Sequence, residues 1–195
     1  MASLRDDTSN MVYTNKTSNL DRYSKSFIVE EIKRFGLYKK NPYNIKCDTL
    51  LDIACGTGVF SIEFAKFYKV TGEDIALEAI KRANIENNDK NITYVYTDCL
   101  EKTSKHDIVF CRGPSFFIKN HIKSDTFKKF LDHLMNRCNK LFVFGMKNTE
   151  NNPRAVYHSE NDIKEIFSRY GEFLLNKQIG NQLFVVIKKT NNDIL

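Results

Sequence analysis

No stretch of the 195-residue chain approaches the roughly 18 consecutive apolar residues that a membrane span requires, and the opening residues, Met1 to Asp7, are polar. These absences predict a cytoplasmic protein with no membrane partner. C-x-x-C pairs are missing as well, and the five cysteines (Cys47, Cys55, Cys99, Cys111 and Cys138) are odd in number. A chain of this length buries roughly 70 % of its unfolded surface without disulfide staples, so reduced thiols are expected. The four histidines, at 106, 121, 133 and 158, show neither H-x-x-x-H spacing nor a cysteine at zinc-site spacing, and no metal is expected. Nowhere does G-x-x-x-x-G-K-[ST] occur, which removes a P-loop and the phosphoryl transfer that goes with it.

What remains has the composition of one packed domain, with 42 % hydrophobic and 28 % charged residues. The formal charge is +6, but the basic residues come in scattered pairs such as Lys39-Lys40, Lys128-Lys129 and Lys188-Lys189, with acids between them. A solvated surface accounts for that pattern, while the net charge leaves a nucleic-acid partner open through faster encounter.

Residues 1–23 are rich in Ser, Thr, Asn and Asp without a sustained period and predict a loose N-terminal arm anchored by Tyr13 and Tyr23. A single domain is expected over 24–190. It opens with a helix whose stripe, Phe27, Ile28, Ile32 and Phe35, stops at Gly36. Leu50 to Ala54 then reads as strand, a glycine pair as turn, and Phe60, Phe64 and Phe67 as helix. Val70 to Ile75 is a second strand followed by a helix lined by Leu77, Ile80 and Ala83, and Ile92 to Thr97 and Asp107 to Cys111 are two more strands. Phe127, Phe130, Leu131, Leu134, Met135 and Cys138 mark a long helix, and Leu141 to Met146 a fifth strand. Ser159-x-x-Asp162 resembles a capping box before a helix that carries Ile163, Ile166, Phe167 and Tyr170. The alternation predicts a parallel sheet. Phe173 to Ile179 and Leu183 to Ile187 are separated by Gly180-Asn181-Gln182, too short for a parallel crossover, and predict an antiparallel hairpin.

Ligands of open α/β sheets bind at the carboxyl ends of the strands, so the loops there hold the candidate site. Gly56-Thr57-Gly58 lets backbone approach a ligand closely. Asp52 stands four residues before the first glycine, Asp74 ends the second strand 16 residues beyond Gly58, and Asp98 follows the third. A carboxylate in the position of Asp74 suits a ribose diol. Glu73 is adjacent, but successive strand side chains point to opposite faces, and Asp74 is the expected one. A dinucleotide fingerprint fits less well, since Ser61 stands where Gly or Ala is wanted.

Leu51-Asp52-Ile53-Ala54-Cys55-Gly56-Thr57-Gly58 resembles the D-x-G-x-G-x-G first motif of the class I S-adenosylmethionine (SAM)-dependent methyltransferases, with Ala54 in place of the first glycine. Val70-Thr71-Gly72-Glu73-Asp74-Ile75 is similar to the second motif, and the likeness extends over residues 49–188. The resemblance implies an α/β fold with a seven-stranded Rossmann-like sheet, parallel with an antiparallel C-terminal hairpin and flanked by helices. It further implies that Asp52, Ala54, Gly56 and Gly58 surround the methionyl part of SAM and that Asp74 holds the ribose hydroxyls. Asp98 would accept from the adenine amino group, and the Cys99 amide would meet the adenine ring. Ile75 and Cys111, at the ends of the second and fourth strands, complete the candidate cofactor contacts.

Methyl transfer needs alignment more than a dedicated acid or base, so no catalytic residue is assigned. The acceptor-side candidates are Arg112, Ser115 and Phe116 in the loop after the fourth strand, with Tyr13 and Tyr23 from the arm. Cys111 has no histidine placed to activate it and is not expected to act as a nucleophile. An N-P-P-Y-like string, as in base-amino methyltransferases, is replaced by Arg112-Gly113-Pro114-Ser115. The expected activity is methylation of a small polar metabolite. A non-catalytic SAM-binding sensor or partner subunit, and an RNA methyltransferase, are the alternatives.

Overall fold

A computed structural model describes residues 24–113, 123–148 and 158–190. They fall into two compact units, one ending at Thr103 and the other beginning at Ser104.

In the first unit, α1 (Lys25–Arg34) starts where Ser24 Oγ accepts from the Phe27 amide at 3.2 Å, satisfying one of the donors that a first helical turn leaves unpaired. Its apolar stripe buries Ile28 and Ile32. The helix stops at Gly36, whose φ of +70° is the left-handed conformation that glycine adopts without steric penalty. Tyr43 folds back over this end and donates its hydroxyl to the Phe35 carbonyl at 2.8 Å.

Three parallel strands follow: β1 (Thr49–Ile53), β2 (Lys69–Asp74) and β3 (Ile92–Tyr96), paired from Thr49↔Lys69 to Ile53↔Glu73 and from Val70↔Ile92 to Asp74↔Tyr96. Parallel pairing demands crossovers, supplied by α2 (Ser61–Phe64) and α3 (Leu77–Glu86). The sequence predicts the first of these to reach Phe67, but it spans a single turn. Beyond it Phe67 bonds Phe64 in the tighter i→i−3 pattern, and Tyr68 swings out to donate its hydroxyl to the carbonyls of Leu37, at 3.0 Å, and Lys39, at 2.5 Å.

The second unit contains β4 (His106–Arg112), α4 (Asp125–Arg137), β5 (Cys138–Lys147), α5 (Glu160–Phe167), β6 (Gly171–Ile179) and β7 (Gln182–Lys189). Strands β4 and β5 are parallel, whereas β7 runs antiparallel to both β5 and β6. The hairpin turn is shorter than the sequence reading has it. Ile179 pairs with Gln182, leaving Gly180, at φ +58°, and Asn181 as a two-residue turn. Ser124 caps α4, and Ser159 with Asp162 forms the expected capping box of α5. At the other end of α4, Lys189 Nζ donates to the carbonyls of Met135 and Cys138, both at 2.9 Å, placing a cation where the helix dipole is negative. Phe127, Phe142, Phe144 and Phe167 pack as an aromatic core, the Phe144 and Phe167 rings 5.5 Å apart.

The strand order is β3-β2-β1-β4-β5-β7-β6, a seven-stranded mixed sheet with an antiparallel C-terminal hairpin. Among the described residues, no helix is long and apolar enough to cross a membrane.

Candidate functional site

The loop leaving β1 is built on three alternate residues with positive φ: Ala54 (+56°), Gly56 (+56°) and Gly58 (+78°). Left-handed backbone is open to glycine and strained for alanine, so Ala54 carries strain at the first of these positions. Ala54 is exposed, while Gly56 and Gly58 are buried.

Two carboxylates support this loop from below. Asp74, at the end of β2, accepts the Gly56 amide on Oδ2 at 2.8 Å and the Ala76 amide on Oδ1 at 2.8 Å, and the Ile75 amide also reaches it. Burial raises its proton affinity, and these backbone donors oppose the rise. Asp52, in β1, accepts from the Ser61 hydroxyl at 2.6 Å. Burial pushes the Asp52 carboxyl up to about 7, the Ser61 hydrogen bond pulls it back, and the Asp74 charge raises it again. The buried Cys55 thiol is driven well above its ordinary range by burial first and then by Asp52 and Asp74, so it is a thiol and not a thiolate.

Asp98 follows β3 and caps the 3-10 turn Cys99–Glu101, accepting from the Leu100 amide at 3.0 Å. Its neighbour Thr97 bonds through its amide to the Asp74 carbonyl at 3.0 Å, which ties the ends of β2 and β3 together. Cys99 is buried and Ile75 half-buried beside these acids. The structure therefore brings Asp52, Ala54, Gly56, Gly58, Asp74, Ile75, Asp98 and Cys99 to the carboxyl ends of three neighbouring parallel strands. Buried carboxylates at consecutive strand ends repel phosphate and favour a ligand rich in hydroxyl donors or carrying positive charge.

Two residues that sequence reasoning missed also shape the loop. Tyr94 of β3 donates its hydroxyl to the Asn87 carbonyl at 2.9 Å, and Asn87 donates Nδ2 to the Thr57 carbonyl at 2.8 Å. The signal that could have found them is Gly72, a glycine inside a strand, which marks a close approach by a neighbouring group.

In the second unit, Cys111 is buried in β4 opposite Phe144, and half-buried Arg112 stands opposite Gly145. Gly113 has φ +63° and bonds through its amide to the Gly145 carbonyl at 2.8 Å. Ser115, Phe116, Tyr13 and Tyr23 lie outside the described residues. After β5, Asn148 takes both backbone groups of His158: its Oδ1 accepts the His158 amide at 2.9 Å and its Nδ2 donates to the His158 carbonyl at 3.0 Å.

Residues 50–138 match the family described as a methyltransferase domain. A curated protein of Methanocaldococcus jannaschii, named as a protein N5-glutamine methyltransferase, is 33 % identical over 99 residues, covering 48 % of this chain and 50 % of its own length. The chain thus spans half the length of that relative. Among solved structures, the N-methyltransferase NodS of Bradyrhizobium japonicum, in complex with S-adenosylhomocysteine, superposes with a TM-score of 0.72 at 16 % identity, over 94 % of this chain and 97 % of that one. Magnesium protoporphyrin IX methyltransferase of Synechocystis, also with S-adenosylhomocysteine, gives 0.65 at 16 % identity, over 94 % and 86 %. These structural likenesses carry the fold.

Proposed function

We propose that this chain, whose residues 50–138 match a methyltransferase domain, is a class I methyltransferase that moves the methyl group of SAM to a small polar acceptor. The observation that carries this reading is the row of buried acids Asp52, Asp74 and Asp98 at adjoining strand ends around a loop with alternating left-handed residues. SAM has a sulfonium, an ammonium, a ribose diol and an adenine amino group, and no phosphate, which is the set of groups such a site favours. Asp74 would accept from the ribose hydroxyls, Asp98 from the adenine amino group, and the Ala54 to Gly58 backbone would meet the methionyl part. Ile75 and the Cys99 amide would line the nucleoside.

The chemistry is an in-line displacement. An acceptor lone pair forms a bond to the methyl carbon as the carbon–sulfur bond breaks, the sulfonium becomes a neutral thioether, and the proton displaced from the acceptor leaves to water. Holding the two partners in line supplies roughly 7–11 kcal/mol of the barrier. Arg112, whose planar guanidinium suits a carboxylate or phosphate, would orient the acceptor, with Ser115, Phe116, Tyr13 and Tyr23 as further acceptor-side candidates.

A small acceptor is favoured over RNA by the pairing of surface cations with acids on their own helices. Examples are Lys33 with Glu30, Lys81 with Glu78, Arg82 with Glu86 and Lys164 with Glu160. Saturating SAM at a hundred times its dissociation constant should stabilise the fold by about 2.7 kcal/mol, which at roughly 2–4 °C per kcal/mol gives a readily measured rise in the melting midpoint. An unchanged melt removes the donor assignment. Formation of S-adenosylhomocysteine with metabolite fractions, and not with RNA or protein, supports the acceptor class, and binding without turnover on any of them supports the sensor reading.

A further inference from the structure

One aromatic ring explains two glycines of the first unit. A Cβ on Gly58 would stand 2.1 Å from the Tyr94 hydroxyl oxygen, and one on Gly72 would stand 2.8 Å from the Tyr94 ring. The ring therefore lies directly against the backbone of the loop and of β2. Its hydroxyl donates to the Asn87 carbonyl, and Asn87 in turn donates to the Thr57 carbonyl. The Thr57–Gly58 peptide is thus covered by a side chain from β3 and fastened at its oxygen by a residue at the end of α3.

We propose that Tyr94 and Asn87 are positioning residues for donor binding, holding the Thr57–Gly58 peptide so that the loop meets its ligand already in shape. The proposal rests on the reading that this loop binds SAM. Neither residue is placed against reacting atoms. A loop ordered before the ligand arrives loses little freedom on binding, so the benefit falls on affinity and not on the chemical step.

The test uses the full chain, SAM as the probe, and two variants. Tyr94→Phe keeps the ring and removes the hydroxyl, while Asn87→Ala, at a half-exposed position, removes the link to Thr57 and stays informative should the tyrosine variant fold poorly. Calorimetric titration should show wild-type binding and about tenfold weaker binding by each variant. The double variant should be little worse than either single one, because both residues act on one peptide. In turnover, the KM for SAM should rise with kcat unchanged. Variants that bind SAM as tightly as wild type overturn the proposal, as does a loss of unliganded stability at constant affinity. Failure of the wild-type chain to bind SAM overturns the functional reading itself, and this proposal with it.

Discussion

Asp74 Oδ2 receives the Gly56 amide proton at 2.8 Å, so the acid at the end of one strand fastens the turn that leaves its neighbour. The same carboxylate takes the Ala76 amide on its other oxygen. It is at once a candidate ribose ligand and a rivet of the loop. Asp74→Asn retains one carbonyl oxygen but turns an amide donor toward a backbone N–H. The variant should weaken SAM binding at least tenfold and lower unliganded stability by about 1–3 kcal/mol, the range for disrupting a buried hydrogen bond. Titration calorimetry and urea melts check the two effects separately, and unaltered affinity would remove Asp74 from the binding site.

Ala54→Gly should stabilise the chain. Left-handed backbone costs a residue with a Cβ roughly 1–2 kcal/mol, and the greater freedom of glycine in the unfolded state returns about 0.4–1 kcal/mol of that. With φ at +56° and the methyl group exposed, a net gain of up to about 1 kcal/mol is expected as a higher melting midpoint. A lower midpoint would mean that the methyl group packs usefully.

The pH dependence of Asp52 has a definite sign. Its carboxyl lies at about 7 in the folded chain against an ordinary 3.8, so the folded state holds this proton more tightly than the unfolded state does. The associated stability is fully present below pH 3.8 and is lost as pH rises to about 7. Asp52→Asn stays neutral throughout, so its stability relative to wild type should improve from about pH 4 to about pH 7 in urea melts and level off above that. A difference that stays flat over that range would show that Asp52 is already ionised in the folded chain.

Asn148→Ala removes both hydrogen bonds to His158 and leaves buried backbone groups without that partner. A loss of about 1–3 kcal/mol is expected in denaturant melts. The dissociation constant for SAM should stay within twofold, since the acids proposed to bind the donor belong to the other unit. A large change in that constant would instead implicate Asn148 in shaping the donor site.

Strand and helix alternation was legible because apolar period and turn residues are local. The runs ending at Ala54, Ile75 and Thr97 correspond to β1, β2 and β3, and Ser159 and Asp162 form their box as spacing predicts. Lengths were less legible. The helix expected through Phe67 closes after one turn, where the Phe67 amide bonds three residues back and the Tyr68 hydroxyl reaches two carbonyls some 30 residues upstream, contacts with no local signature. The same holds at the candidate site. Asp52, Asp74 and Asp98 announce themselves by position at strand ends, whereas Tyr94 reads as an ordinary strand aromatic until its ring is found against Gly58 and Gly72.

The place of β7 between β5 and β6 bears on how the polypeptide is made. During synthesis β5 emerges first, and its ladder from Leu141 to Lys147 has no antiparallel partner until Gln182–Lys189 follows. For that interval a buried-type strand, Leu141 to Met146, shows an open edge of the kind that templates aggregation. A ribosome that stalls before residue 182 would therefore release a product prone to clump, and the lysine that seals α4 arrives with the last residue of the strand that closes the sheet.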